Sequence, residues 1–181
     1  MYIMKVRILF LICFLSITCL LNAADKPVIQ IHTDNSSLIF RVADNGRLYQ
    51  SYLGKKLNHE ADISHLPQGT EAYITHGMED YFEPAIHILH NDGNPSLLLK
   101  YVSHETKAVS QGVNETIITL GDDKYPVTVK LHYVTYPAED IIKTYTEISH
   151  KEKKPVVLHQ YASSCLLYTS DAADEARSVD L

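Results

Sequence analysis

An all-β fold, an antiparallel β-sandwich, is what this sequence predicts, on three observations. Apolar residues recur at every second position from Pro27 onward, clusters of Asp, Asn, Gly and Pro punctuate those runs, and no long stretch carries a 3.6-residue period. Val28, Ile29 and Ile31 open a first strand, and Asp34-Asn35 turns the chain into Leu38–Val42. Asp44-Asn45-Gly46 is a second turn signal, followed by Leu48–Leu53, so the first three runs read as a β-meander. Asn58–Gly69 is polar and irregular and reads as a loop. Pro84–His90 is expected as a strand, Asn91-Asp92-Gly93-Asn94-Pro95 as a turn, and Ser96–Ser103 as the partner strand of a hairpin. Glu115–Leu120 and Val127–Tyr136 follow. In the latter, Val127, Val129, Leu131 and Tyr133 share one face and Thr128, Lys130, His132 and Val134 the other, the pattern of a sheet with one buried and one wet face. Ile141–Ser149 returns, His150–Lys154 is expected as a charged hairpin tip, and Pro155–Ser163 begins a last strand.

The two ends stand apart from this pattern. Residues 1–24 read as a secretory signal peptide. Lys5 and Arg7 form its basic start, Ile8–Leu21 is an apolar run too short for a comfortable membrane span, and the small residues Ala23 and Ala24 close it. The expectation is an exported protein, periplasmic or secreted, with no membrane attachment after cleavage. Residues 165–181 read differently: Cys165–Glu175 is what a transposase-type sequencing adapter encodes in this frame, so this tail is expected to be adapter-derived. Residues 25–164 then remain as one partial domain. Its cysteines fall away, because Cys13 and Cys19 lie in the signal and Cys165 in the tail. Without them the segment has no disulfide, no thiolate nucleophile and no cysteine zinc site.

The 181-residue chain carries a formal net charge of −6, and setting aside Lys5, Arg7, Arg177 and Asp171, Asp174, Glu175 and Asp180 leaves −5. Nucleic acid is therefore excluded as a partner, since phosphate binding needs clustered Lys and Arg. The chain has no Trp, which excludes a sugar surface built on Trp stacking. Ten histidines invite a metal reading. His87 and His90, three apart on a strand, point to opposite faces, and His59, His65 and His76 have no ligand motif around them, so no metal and no cofactor is expected. Glu79 and Asp80 are adjacent, which sends them to opposite faces of an extended chain and argues against a paired acid and base. Asn35-Ser36-Ser37 and Asn114-Glu115-Thr116 match the glycosylation pattern but sit where ordinary turn residues are expected.

The ordered set Glu79-Asp80-Tyr81-Phe82-Glu83-Pro84, His90-Asn91-Asp92-Gly93-Asn94-Pro95, Tyr125-Pro126-Val127-Thr128-Val129 and Tyr136-Pro137-Ala138-Glu139-Asp140 resembles the N-terminal domain of glycoside hydrolase family 36 α-galactosidases. The likeness runs from about Ile29 to Ser163. It implies a β-supersandwich, here incomplete, placed before a (β/α)8 barrel of about 250 residues. It also implies retaining hydrolysis of α-galactosides such as melibiose, raffinose and galactomannan side chains by two aspartates about 5 Å apart in that barrel. No catalytic residue maps onto this sequence, so the fragment is expected to be inactive. The resemblance gives Asp80, Phe82 and Glu83 as candidates for the rim of a sugar pocket, α-galactoside sugars as partners of the full-length enzyme, and room for a homo-oligomer. The alternative reading is a stand-alone, non-catalytic sandwich that binds glycans or surface partners.

Overall fold

The computed structural model describes residues 26–77, 83–163 and 166. The stretch read as a signal (1–24), residues 165–181 apart from Leu166, and all three cysteines lie outside them. Among the described residues ten antiparallel-paired strands dominate: β1 (Val28–His32), β2 (Ser36–Val42), β3 (Leu48–Lys55), β4 (Thr70–Glu71), β5 (Ile86–Leu89), β6 (Leu99–Ser110), β7 (Val113–Asp122), β8 (Val127–Tyr136), β9 (Ile141–His150) and β10 (Val157–Tyr161). They form a four-stranded sheet β1-β2-β3-β4, a second β6-β7-β8-β9, and a two-stranded sheet β10-β5.

Alternation decides which faces meet. Ile29 and Ile31 of β1, Leu38 and Phe40 of β2 and Leu48 of β3 are buried in one cluster with Ile118 and Leu120 of β7 and Val127, Val129, Leu131 and Tyr133 of β8. Phe40 and Tyr133 meet across the sheets with ring centroids 5.1 Å apart. Each such side chain contributes about 2 kcal/mol through burial, and this apolar layer is what makes two sheets a sandwich. Polar staples fix its ends. At one end the Asp140 carboxylate accepts from Ser36 Oγ (3.1 Å), Asn35 N (3.3 Å) and the Thr33 hydroxyl, tying the β1–β2 turn to the β8–β9 turn. Asp140 holds a left-handed backbone (φ 56°) to do so, a conformation Asp tolerates better than most residues. At the other end Tyr101 N donates to Gly46 O (2.8 Å), joining the β2–β3 turn to β6.

The meander β1–β3, the strand at 127–136 and its return at 141–149 are as the pattern predicts. Four expectations need correction. The segment 58–69 is not wholly irregular, for it contains a one-turn helix, α1 (Glu60–Ser64). It is anchored to the outer face of the first sheet by Arg41, which donates to Ile63 O, and by Leu57 N, which donates to Ser37 Oγ (2.9 Å). Ile39, between those two anchors on the same face, is fully buried.

The turn at 91–95 forms, with His90 N bonded to Asn94 O (2.9 Å) and Gly93 at φ 84°, but it does not make a hairpin. Leu97 N goes to His76 O (3.5 Å) and Leu98 N to Asp122 Oδ2 (2.6 Å). Those bonds divert the chain to the other sheet, where β6 pairs with β7. β5 pairs instead with β10. Residues 150–154 are accordingly not a hairpin tip but a crossover between sheets. Finally, the second face of β8 is not wet along its length, because His132 and Val134 are buried as well.

Candidate functional site

The sugar-rim candidates lead into β5. Asp80 and Phe82 lie outside the described residues, as does Glu79. Glu83 is described and exposed. Proline at 84 has no N–H to offer, and the chain is steered there by a side chain: Gln160 Nε2 of β10 donates to Glu83 Oε1 (3.0 Å) and to Pro84 O (3.0 Å). Ala162 N donates to Ala85 O (2.7 Å) and Tyr73 OH to Ala162 O (2.8 Å), so the end of β10 is pinned on both sides. Burial pushes the Tyr73 phenol up to about 12.

Beside this entrance three imidazoles meet. His76 and His87 stack with centroids 3.8 Å apart and planes within 8°, and His159 of β10 tilts against His87 at 4.8 Å. Burial first, and then the neighbouring His76 and His159, hold His87 below the ordinary imidazole value. Stacked rings present faces rather than nitrogen lone pairs to one another. Among the described residues no group of three His, Cys, Asp or Glu is arranged to hold a metal ion. His59 and His65 flank α1 and do not join the stack. β10 itself carries Val157, Leu158 and Tyr161 exposed.

The turn after β5 is locked by a second cluster. His90 is buried; its Nδ1 donates to Glu152 Oε1 (2.7 Å), its Nε2 faces Ser96 O (3.2 Å), and its ring stacks on Tyr125 at 3.6 Å. Asn91 N adds a bond to Glu152 Oε2 (3.1 Å), and Tyr125 OH donates to Asp92 Oδ2 (2.9 Å). Burial pushes the Glu152 carboxyl up, but the bonds from His90 and Asn91 outweigh it and leave it below the ordinary carboxylate value. A cleft of about 190 Å3 opens next to this cluster, between Asn94, Leu98, Asp122, Lys124 and Tyr125. Asp122 does not face it as a free base: its oxygens cap Leu98 N (2.6 Å), Lys124 N (2.6 Å) and Tyr125 N (2.8 Å).

The third cluster crosses the outer face of the second sheet. Register places Glu115 of β7 opposite Lys107, and His132 of β8 opposite Ile117 and Tyr145. Tyr145 OH (2.6 Å) and His132 Nδ1 (2.9 Å) both donate to Glu115 Oε1, and Lys107 Nζ lies 3.1 Å from Oε2. These donors, Tyr145 first, hold the Glu115 carboxyl down to about 2, while the bond to that carboxylate pushes the Tyr145 phenol up to about 12. Neither this cluster nor Glu152 was singled out by sequence. Glu115 carries one signal, a carboxylate two residues before Ile117-Ile118 on a strand.

Chemically these arrangements hold and orient. A glycosidase general acid needs a carboxyl whose pKa is raised. Asp44, Asp92, Glu115, Asp140 and Glu152 are all shifted downward by donors.

The fold and its clusters thus define an antiparallel β-sandwich domain. The chain matches the glycosyl hydrolase family 36 N-terminal domain over residues 41–177, three-quarters of its length, and it belongs to that family. Its fold is similar to that of the galactosidase domain of the α-galactosidase-sucrose kinase AgaSK (TM-score 0.69, 21% identity, 77% of this chain and 24% of that one). It is similar too to the α-galactosidase AgaB from Geobacillus stearothermophilus (TM-score 0.66, 20% identity, 79% and 24%). A third likeness is to a variant of AgaA from the same organism, solved in complex with raffinose (TM-score 0.67, 17% identity, 76% and 24%). The chain spans about a quarter of the length of each. Among proteins with curated descriptions none matches.

Proposed function

We propose that this chain is the N-terminal sandwich of an exported α-galactosidase, a part that supports a retaining catalytic barrel and carries out no reaction of its own. The observation that supports it most is the family match over residues 41–177. Beside it stands the fact that similar solved α-galactosidases are about four times longer than the part this chain covers. The downward-shifted carboxylates agree with it, since each is held by donors of the fold. In this reading residues 1–24 direct export and are removed. Asp80, Phe82 and Glu83 lie at the rim of a galactoside pocket completed by other parts of the enzyme. The matched span runs past Ser164 into the stretch read as adapter, so the reading frame is the place to test the proposal.

The test is to read the source gene across the Ser164 codon, express the whole frame, and measure hydrolysis of a chromogenic α-galactoside beside the 181-residue chain. The expected result is a frame that continues into a barrel with two catalytic aspartates, hydrolysis by the long product and none by the short one. A frame that ends at Leu181 overturns the proposal and brings the stand-alone binding module to the front.

A further inference from the structure

Among the described strands β10 pairs with β5 alone, over four residue pairs, and the ladder is broken between Leu158 and Gln160. His159 is the residue left out of that ladder, and its ring lies against His87 of β5. A bulge of this kind aims one side chain at a chosen neighbour and gives up ladder bonds to do so. Beyond the ladder, Gln160 ties the strand to Glu83 and Pro84, and Ala162 ties it to Ala85 and Tyr73. Val157, Leu158 and Tyr161 stay exposed, so β10 belongs to the part of the molecule that opens at small cost.

The bulge brings a third titratable ring to a pair already stacked. His87 is half-buried, with His76 at 3.8 Å and His159 at 4.8 Å between centroids. Uncharged, the rings attract one another as aromatic bodies. Two imidazolium rings at these distances repel, and the partly buried setting screens that repulsion less than open water does. His76 Nδ1 is buried and has no hydrogen-bond partner among the described residues, so a proton arriving there meets no acceptor. The described charges that act on His87 are those of His76, from the stretch after β4, and His159, from β10. Glu83, the carboxylate that faces β10 from the entrance to β5, is engaged by Gln160.

We propose that the His76–His87–His159 stack is an acid-sensitive latch: its neutral rings close β10 onto β5, and their protonation releases β10 and uncovers the edge of β5. Burial first, and then its two neighbours, hold His87 below the ordinary imidazole value of 6.5 when folded, so release takes up protons. The latch is therefore fully closed above 6.5, where the ring is neutral in both states, and weakens as pH falls below it. Each proton taken up on opening raises the opening constant by up to about tenfold per pH unit.

The test is amide hydrogen exchange on the full 181-residue chain between about pH 7.5 and about pH 5, the range in which histidine titrates, with each rate divided by the intrinsic rate at that pH. The native sequence is compared with His87→Phe and His159→Phe. Protection at Val157–Tyr161 and Ile86–Leu89 is expected to fall roughly tenfold or more across the range, while Val127–Tyr136 of β8 keeps its own. His87→Phe keeps an aromatic ring in the stack and removes its proton, and is expected to hold the fall within about threefold. His159→Phe sits at an exposed position whose replacement leaves the core intact, so it serves even where His87→Phe does not fold, and is expected to lessen the fall about threefold. Protection of β10 that is absent, or that does not change with pH, in the native chain overturns the latch. A fall that either folded variant leaves unchanged overturns it too, as does one that β8 shares equally.

Discussion

Two imidazole–carboxylate pairs, His90 with Glu152 and His132 with Glu115, have similar bond lengths and different work. The first joins the turn after β5 to the crossover after β9, and both side chains are sealed from solvent (0% and 2% exposed). The second lies within one sheet, on neighbouring strands that the backbone ladder already holds together. A polar pair is therefore worth most where no ladder does the joining. The sealed pair positions the loops that send the chain from one sheet to the next, whereas the sheet pair only orders side chains on a surface already built.

The comparison breaks most sharply by truncating the sealed pair. Glu152→Ala leaves His90 and Asn91 without their acceptor and is expected to cost about 3 kcal/mol, read as a lower urea midpoint. His90→Ala is expected to cost as much, and the double variant no more than either alone. Equal and additive losses would mean that the two residues act separately. Glu115→Ala is expected to cost less, about 1–2 kcal/mol, since it leaves Tyr145 and His132 without their acceptor but β7 and β8 stay joined by their backbone ladder.

Acid sharpens the same contrast. Both carboxylates titrate below their ordinary value when folded, so each adds stability that is complete above the unfolded value and is lost as pH falls through the folded one. For Glu115 the window runs from 4.5 down to about 2. Thermal melts are expected to drop across it, and the drop is expected to be shallower in Glu115→Gln. A slope that Glu115→Gln leaves unchanged would assign acid sensitivity to other groups.

The smallest effect is alkaline. Tyr145 is raised from 10.0 to about 12, so its contribution is full below 10 and declines as pH climbs through that interval. Tyr145→Phe is expected to flatten that decline at a cost of about 0.5–1 kcal/mol at neutral pH. Thermal melts above pH 10 check it.

Much of the sandwich was legible because its strands are local. β1 to β3 and β7 to β9 are joined by short connections, and alternation at Ile29/Ile31 and Val127–Tyr133 says which face turns inward. The pairing of β5 with β10 was not legible. Its signal at 91–95 is real turn chemistry, but what the chain does next is decided by Asp122 and His76, each distant in sequence from Leu97 and Leu98. The candidate site divides in the same way. Glu83 could be named from the residues around it, whereas the bridge from Gln160 Nε2 to Glu83 and Pro84 joins positions 77 and 76 residues apart. Tyr145 looked like an ordinary strand aromatic until register set it over His132.

The partnership of β5 and β10 also sets an order of events during synthesis. β6 to β9 can zip together as each hairpin leaves the ribosome, since their contacts are local in sequence. β5 is made before all of them, yet its β10 partner, starting at Val157, is the last of the described strands to appear. While residues 90–156 are being translated, Ile86 and Ile88, which end fully buried, have no strand beside them on that edge. Slowing the ribosome between codons 90 and 157 would lengthen that exposure and with it the opportunity for wrong partners.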